Sequence, residues 1–355
     1  MELIMSFSTR LVCLLSAITF VISVPAHAKT PSLPVLTLYN WSEYSDDALI
    51  ATFEKENGIK INQVYYETDE LKDEYLLSTN GGEGLDIIVG SEASFRNYLK
   101  RQWLAPVTSS SIPNLKHIAP RWSSSRISDY SVPYLWGTVG IVYRKDKIPD
   151  TISSWLDIYR PQPALKDKIV MIDDSKDTLG LALKALGYSL NSTQVNELAA
   201  AEKLLRKQKP YVKNYGYINL SEESSLIKGD VWMTMVYNGD GLTLQEMHPG
   251  IKFVVPQEGT NIWTDHIAVL NTSTQKDLAL KFINFINEPK NAAQLAVSLN
   301  FATPNAGATE YLPTSFLNDP SIYPDKTIVE KSESYTDLKP REQKKRNEIY
   351  LRVVE

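Results

Sequence analysis

The stretch from Val35 to Val89 alternates short apolar runs with segments of helical period, and this constrains the fold more than any other feature of the chain. Residues 35–39 read as a strand, and Ser45 caps a helix that runs to Asn57 and is stopped by Gly58. Residues 59–65 give a second strand, 70–78 a second helix, and 85–89 a third strand ending at Gly90-Ser91. Strands joined through helices run parallel, and the helices cover both faces of the sheet. Ligands of such sheets sit beyond the carboxyl ends of the strands.

The beginning of the chain has the pattern of a secretory leader over residues 1–28. Arg10 marks a basic segment, Leu11 to Val24 an apolar run, and Ala26-His27-Ala28 a small-x-small cleavage site. That run falls short of the roughly 20 residues that cross a bilayer. Cleavage after Ala28 removes Cys13, the chain's single cysteine, so the mature protein starts near Lys29 without disulfides. A chain of this size buries enough apolar surface to fold without them. An exported, disulfide-free product fits a bacterial periplasm. The 42 acidic and 37 basic residues leave a net charge of −5, which argues weakly against nucleic acid and weakly for a cationic partner.

Further along, strands predominate at residues 132–136 and 140–144. A second α/β series follows: a short helix at 155–158, strand 168–172, helices 178–186 and 193–208, and strands 231–236 and 252–255. Strand 266–270, helices 276–287 and 289–299, and a terminal helix at 341–354 complete the chain. The pattern predicts two α/β lobes. One takes residues 29–139 and 264–309, the other 140–263 and 310–355, with crossovers near 131–144 and 263–265. A cleft between such lobes is a natural ligand site that closes by hinge motion.

Acids and aromatics cluster at the strand ends. The first strand runs into Trp41, Ser42, Glu43 and Tyr44; Ser91 follows the third; Asp174 and Asp177 follow the strand at 168–172. Tyr237 and Asp240 lie after strand 231–236, and Trp263 and Asp265 share one short segment. Aromatic faces beside carboxylates suit an organic cation: carboxylates replace the water stripped from an ammonium, and flat rings bury methylenes. Each residue also has a plainer use. Trp41 and Trp263 could be core, Ser91 and Asp174 could be helix caps, and Glu43, Asp177 and Asp240 first-turn carboxylates.

The blocks Asn40-Trp-Ser-Glu-Tyr44, Val132-Pro-Tyr-Leu-Trp-Gly137, Met235-Val-Tyr-Asn-Gly-Asp240, Trp263-Thr-Asp265 and Phe301-Ala-Thr-Pro-Asn305 resemble, in order, those of the periplasmic polyamine-binding proteins, the spermidine/putrescine receptors. The resemblance implies a two-lobed α/β solute-binding fold of type II with hinge crossovers, no catalysis and no cofactor or metal. It also implies a polyamine held in the cleft by Trp41, Ser42, Glu43, Tyr44, Ser91, Asp174, Asp177, Tyr237, Asp240, Trp263, Asp265 and Phe301. In that scheme Trp263 and Tyr237 wall the methylene chain, while Asp174, Asp177, Asp265 and Glu43 hold ammonium groups. The partner is an inner-membrane permease of an ABC transporter, or a membrane signalling receptor.

The chain departs from the family pattern in places. Ala93 stands where many relatives have a tyrosine, Phe301 where a tyrosine hydroxyl is common, and Asp177 where a longer Glu is frequent. Tyr335 falls near a position that offers an amide in the triamine receptor. These changes point to an altered ligand length, norspermidine being one candidate, and lean toward the signalling role. The competing class is a carbohydrate-active enzyme with paired carboxylates. Against it, no Gly-x-Ser-x-Gly elbow occurs. His117, His248 and His266 are too scattered for a metal site, and Gly81-Gly-Glu-Gly84 precedes a strand rather than opening a helix.

Overall fold

In the computed structural model, which describes residues 33–123 and 127–355, the alternation runs as the pattern predicts. The elements are β1 (Val35–Trp41), α1 (Asp47–Asn57), β2 (Lys60–Tyr66), α2 (Asp69–Ser78), β3 (Ile87–Ser91) and α3 (Glu92–Lys100). Then come β4 (Val132–Arg144), α4 (Trp155–Tyr159), β5 (Ile169–Met171), α5 (Ser175–Ala185), α6 (Val195–Gln208), β6 (Val212–Tyr215) and α7 (Ser225–Lys228). Next are β7 (Met233–Tyr237), α8 (Asn238–Met247), β8 (Ile251–Val254), β9 (Ile262–Val269), α9 (Lys276–Ile286) and α10 (Pro289–Leu299). Short helices α11 (Thr314–Leu317) and α12 (Lys326–Lys331) precede the terminal α13 (Pro340–Val354). The expected leader lies outside the described residues.

Local chemistry sets the ends. Asp46, not Ser45, caps α1: its carboxylate accepts from Leu49 N at 2.9 Å, while the Ser45 hydroxyl turns to Gln63 Oε1 at 2.5 Å. Gly58 ends the helix in the left-handed region at φ 62°, where a side chain would be strained. Two helices to which the sequence pattern gives no bounds, α3 and α8, begin directly after β3 and β7 with no intervening loop. Their first turns therefore stand at strand ends, where a site is expected.

The strands expected at 132–136 and 140–144 are one strand of 13 residues, β4, buried throughout. Its glycines do not break it; they admit neighbours. A Cβ on Gly137 would stand 2.2 Å from Asn238 Oδ1 and 2.5 Å from the Trp263 ring, and one on Gly140 2.4 Å from Phe253.

The nine strands form a sheet in the order β2-β1-β3-β9-β4-β7-β5-β6, with β8 also on β4. β1 is parallel to β2 and β3, whereas β9 runs antiparallel to β3 and β4. Residues 132–138 of β4 pair with β9, and residues 139–144 with β7 and β8. The same strand thus serves both halves of the sheet.

Side chains alternate across each half. Leu36, Leu38, Ile87, Val89, Ile267 and Val269 enter one core, and Tyr39, Ile88, Ala268 and Leu270 the core on the opposite face. In the second half Val139, Ile141, Met171 and Met233 face one core, and Val142, Val170 and Val236 the other. Both faces being covered, the strands read as nearly continuous apolar runs.

Segment 310–355, expected whole in the second lobe, is divided between the halves. Leu312, Phe316 and Ile322 pack in the first half's core, Ile349 and Val353 in the second's. Leu242 also joins the first core, because α8 lies across β4. His266 is a core residue: it is buried, its Nδ1 lies 3.0 Å from Ser131 Oγ, and burial drives its pKa down to about 3.

Candidate ligand-binding site

β1 delivers its last residues into a clamped turn. Asn40 Nδ2 donates to the Tyr44 carbonyl at 2.7 Å and Tyr134 Oη to the same oxygen at 3.0 Å, while Asn40 Oδ1 accepts from Trp41 N at 2.9 Å. Glu43 is held at φ 54°, a left-handed conformation uncommon for a side-chain-bearing residue. The clamp fixes Trp41, Ser42, Glu43 and Tyr44 on one wall of a cavity of about 660 Å³.

The other walls come from elements distant in sequence. β3 supplies Ser91, β7 supplies Tyr237, the first turn of α8 supplies Asp240, and β9 supplies Trp263 and Asp265. Phe301 closes the cavity after α10. Ser91 and Asp265 are brought side by side by the antiparallel pairing of β3 with β9. Ten of the twelve residues anticipated from sequence share this cavity; Asp174 and Asp177 do not line it.

Aromatic rings form a continuous file through it. Tyr44 stands edge-on to Phe301 with centroids 5.7 Å apart, Phe301 to Trp263 at 5.1 Å, and Trp263 to Tyr237 at 6.1 Å. Tyr217 stacks on Tyr237 at 6.0 Å and donates its hydroxyl to Asp240. Edge-to-face contacts of this kind add about 0.5–1.5 kcal/mol each beyond burial and hold the rings rigid. Trp263 Nε1 is buried with no hydrogen-bond partner among the described residues, a directional polar atom left for something else to satisfy.

Asp265 is the charged centre of the cavity. Burial pushes its carboxyl up to about 7, Asp69 adds to that rise, and Lys72 and Tyr44 oppose it. Asp240 is also raised, chiefly by burial, and the Tyr217 hydroxyl works against that. Buried carboxylates without a full complement of donors favour an incoming cation, since ionisation then costs less.

Asp174 caps α5, accepting from Asp177 N at 2.7 Å. Asp177, one turn on, is 3 % exposed, and its oxygens meet Tyr237 Oη at 3.2 Å, Tyr335 Oη at 2.9 Å and Asn261 Nδ2 at 3.3 Å. Burial, then the neighbouring Asp174, raises its carboxyl to about 7. Tyr237 is thus the link between this acid and the cavity.

Several lining residues escaped the sequence reading: Asp69, Leu220, Thr243 and residues 298–300. Asp69 opens α2, three residues past the end of β2, so a search of the segments that follow strands could have found it. Leu220 and Thr243 carry no chemical signal of their own.

The cavity thus joins carboxylates and aromatic rings on a sheet whose two halves share β4. The family model for bacterial extracellular solute-binding proteins matches residues 48–323. The chain belongs to this family. Over 307 residues it is 32% identical to the spermidine/putrescine-binding periplasmic protein of Salmonella typhimurium, covering 85% of this chain and 87% of that one. It is 29% identical over 360 residues to the putrescine-binding periplasmic protein SpuD of Pseudomonas aeruginosa, covering 96% and 97%. The solved structure of the spermidine/putrescine ABC transporter substrate-binding protein PotD from Streptococcus pneumoniae superposes with a TM-score of 0.82 at 29% identity, over 90% of this chain and 98% of that one.

Members of this solute-binding family are extracellular or periplasmic and bind rather than transform their ligands, which sets aside the carbohydrate-active enzyme. No helix among the described residues is long and apolar enough to cross a membrane.

Proposed function

We propose that this protein captures a linear polyamine in the cavity between β1, β3, β7 and β9 and presents it to an ABC-type permease. The observation that carries this reading is the meeting of Asp265, Asp240 and Glu43 with the ring file Tyr44–Phe301–Trp263–Tyr237 in one cavity. Each ammonium needs replacement of its hydration by carboxylates and hydroxyls, while each buried methylene gains about 0.8 kcal/mol against an apolar wall. A few charge-assisted bonds with that contact reach the roughly −8 kcal/mol of micromolar affinity after desolvation. The names of the relatives favour the permease over the signalling receptor as partner.

In this reading Trp263, Phe301 and Tyr237 flank the methylenes, and Asp265 anchors one ammonium. The hydroxyls of Ser91, Ser42 and Tyr44 offer neutral acceptors beside it. Asp177 and Asp174 act through Tyr237, whose hydroxyl the acid holds in place.

A thermal-shift screen of the purified protein with putrescine, spermidine, norspermidine, amino acids and sugars tests the ligand class. Stabilisation by the amines is expected, because a ligand that binds only the folded state raises the melting temperature. Stabilisation by sugars or amino acids alone overturns the proposal.

A further inference from the structure

We infer that Lys72 is a built-in ammonium occupying the Asp69 end of the cavity, and that it limits the ligand to the length and charge spacing of an aliphatic diamine. The inference rests on the polyamine reading of the same site and adds the ligand's length.

Lys72 lies on α2 and is fully buried, at 0% exposure. Lysine is almost never fully buried unless its charge is paired. Here its ammonium pairs with Asp69 and lies 3.2 Å from Ser94 Oγ. It stands over the Tyr66 ring at 5.1 Å and over the Trp41 ring at 5.8 Å from the centroids. Gly90 leaves the space for it, since a Cβ there would come within 2.9 Å of Nζ. A carboxylate, a hydroxyl and two ring faces are the environment an alkylammonium requires. The protein has filled that environment with its own side chain.

Asp69 and Trp41 also line the cavity, so this internal cation stands just behind the wall. Both Asp69 oxygens are engaged, Oδ1 by Lys72 and Oδ2 by Ser91 Oγ at 3.2 Å. A ligand ammonium arriving at this end meets a neutralised carboxylate backed by a positive charge. The acids left to a ligand are Asp265, which lies within electrostatic reach of Lys72, and Asp240 and Glu43. Two ammonium groups find partners among them. A third, extending toward Asp69, meets like-charge repulsion in a site of reduced dielectric.

Calorimetry with putrescine, norspermidine, spermidine and spermine on the wild-type protein, K72A and K72Q tests this. The wild type is expected to bind putrescine at least as tightly as spermidine. K72A empties the ammonium pocket and frees Asp69, so the ratio of the putrescine to the spermidine Kd rises at least tenfold, with K72Q moving in the same direction. An unchanged ratio in a folded variant, with Asp265→Asn still losing all amines, overturns the role of Lys72 while the polyamine reading stands. Should neither variant fold, a wild type that binds spermidine tenfold more tightly than putrescine overturns it alone. A wild type that binds none of the four amines overturns both.

Discussion

The hydroxyl of Tyr237 donates to Asp177 across 3.2 Å, joining a wall of the cavity to a carboxylate that the cavity does not reach. Tyr237→Phe keeps the ring and removes the donor. Asp177 then keeps only Tyr335 and Asn261, and its carboxyl rises further. The expected cost is about 1–2 kcal/mol of stability for a buried acceptor that loses one partner. Urea denaturation at pH 7.5 reads it, and an unchanged midpoint means the bond contributes nothing.

Asp265→Asn keeps the shape of the side chain and removes its charge. Polyamine affinity should fall more than tenfold, because a desolvated ammonium loses its anionic partner. Calorimetry against putrescine measures it; a Kd within twofold of wild type would remove Asp265 from the site.

Asp177 and Asp265 each hold their protons up to about 7, against 3.8 for an unperturbed carboxyl. The folded state therefore binds protons that the unfolded chain has already released in that interval. The stability these two groups lend the ligand-free protein should be full below about pH 4, decline as the pH rises toward about 7, and level off above. Amine binding should change in the opposite sense, tightening about tenfold between pH 5.5 and 7.5 as the cation replaces protons. Melting curves and calorimetry across this range check both, and Asp265→Asn should remove its share of the stability profile while Asp177 keeps its own.

Much of the architecture was legible because each strand is covered on both faces and so reads as an apolar run, while helices carry their own caps and stops. The site was legible where chemistry coincides with strand ends, as at Trp41 to Tyr44, Ser91, Tyr237 and Asp265. Lys72 was not legible: in Glu70-Leu71-Lys72-Asp73-Glu74 it looks like one more charge on a solvated face, and only the packing of α2 against Trp41 and Tyr66 buries it. Helices α3 and α8 were legible only as a possible cap at Ser91 and a first-turn carboxylate at Asp240, because they start directly at strand ends without a loop. β4 was misread as two strands because its glycines look like breakers when side chains from elsewhere are not yet in view.

Gly137 tests that last point. Gly137→Ala would push a methyl into Asn238 Oδ1 and the Trp263 ring. Overpacking at such a site costs about 1–3 kcal/mol. The melting temperature should drop, and polyamine affinity should fall with it because Trp263 is displaced. A variant with wild-type melting and binding would show that the close approach relaxes freely.

Arg96 on α3 grips Asp337, near α13, through two bonds of 3.1 Å, tying the first half of the sheet to the segment that covers the second. Both side chains are partly exposed, so solvent screens the pair to at most about 1 kcal/mol. Arg96→Ala should leave the melting temperature nearly unchanged, yet weaken amine binding about two- to fivefold if the pair favours the ligand-ready arrangement of the halves. The effect should fade in 0.5 M salt, where about 4 Å of screening length remains. Loss of melting temperature without change in affinity would make it an ordinary surface ion pair.

The first half's core draws together Leu36 and Ile322, far apart in sequence, while β4 belongs to both halves at once. Neither half can be finished early during synthesis. A partly made polypeptide lacks the pieces that would lock either half. The price of that arrangement is slow, long-range assembly afterwards, which an exported protein can take in the compartment where it works.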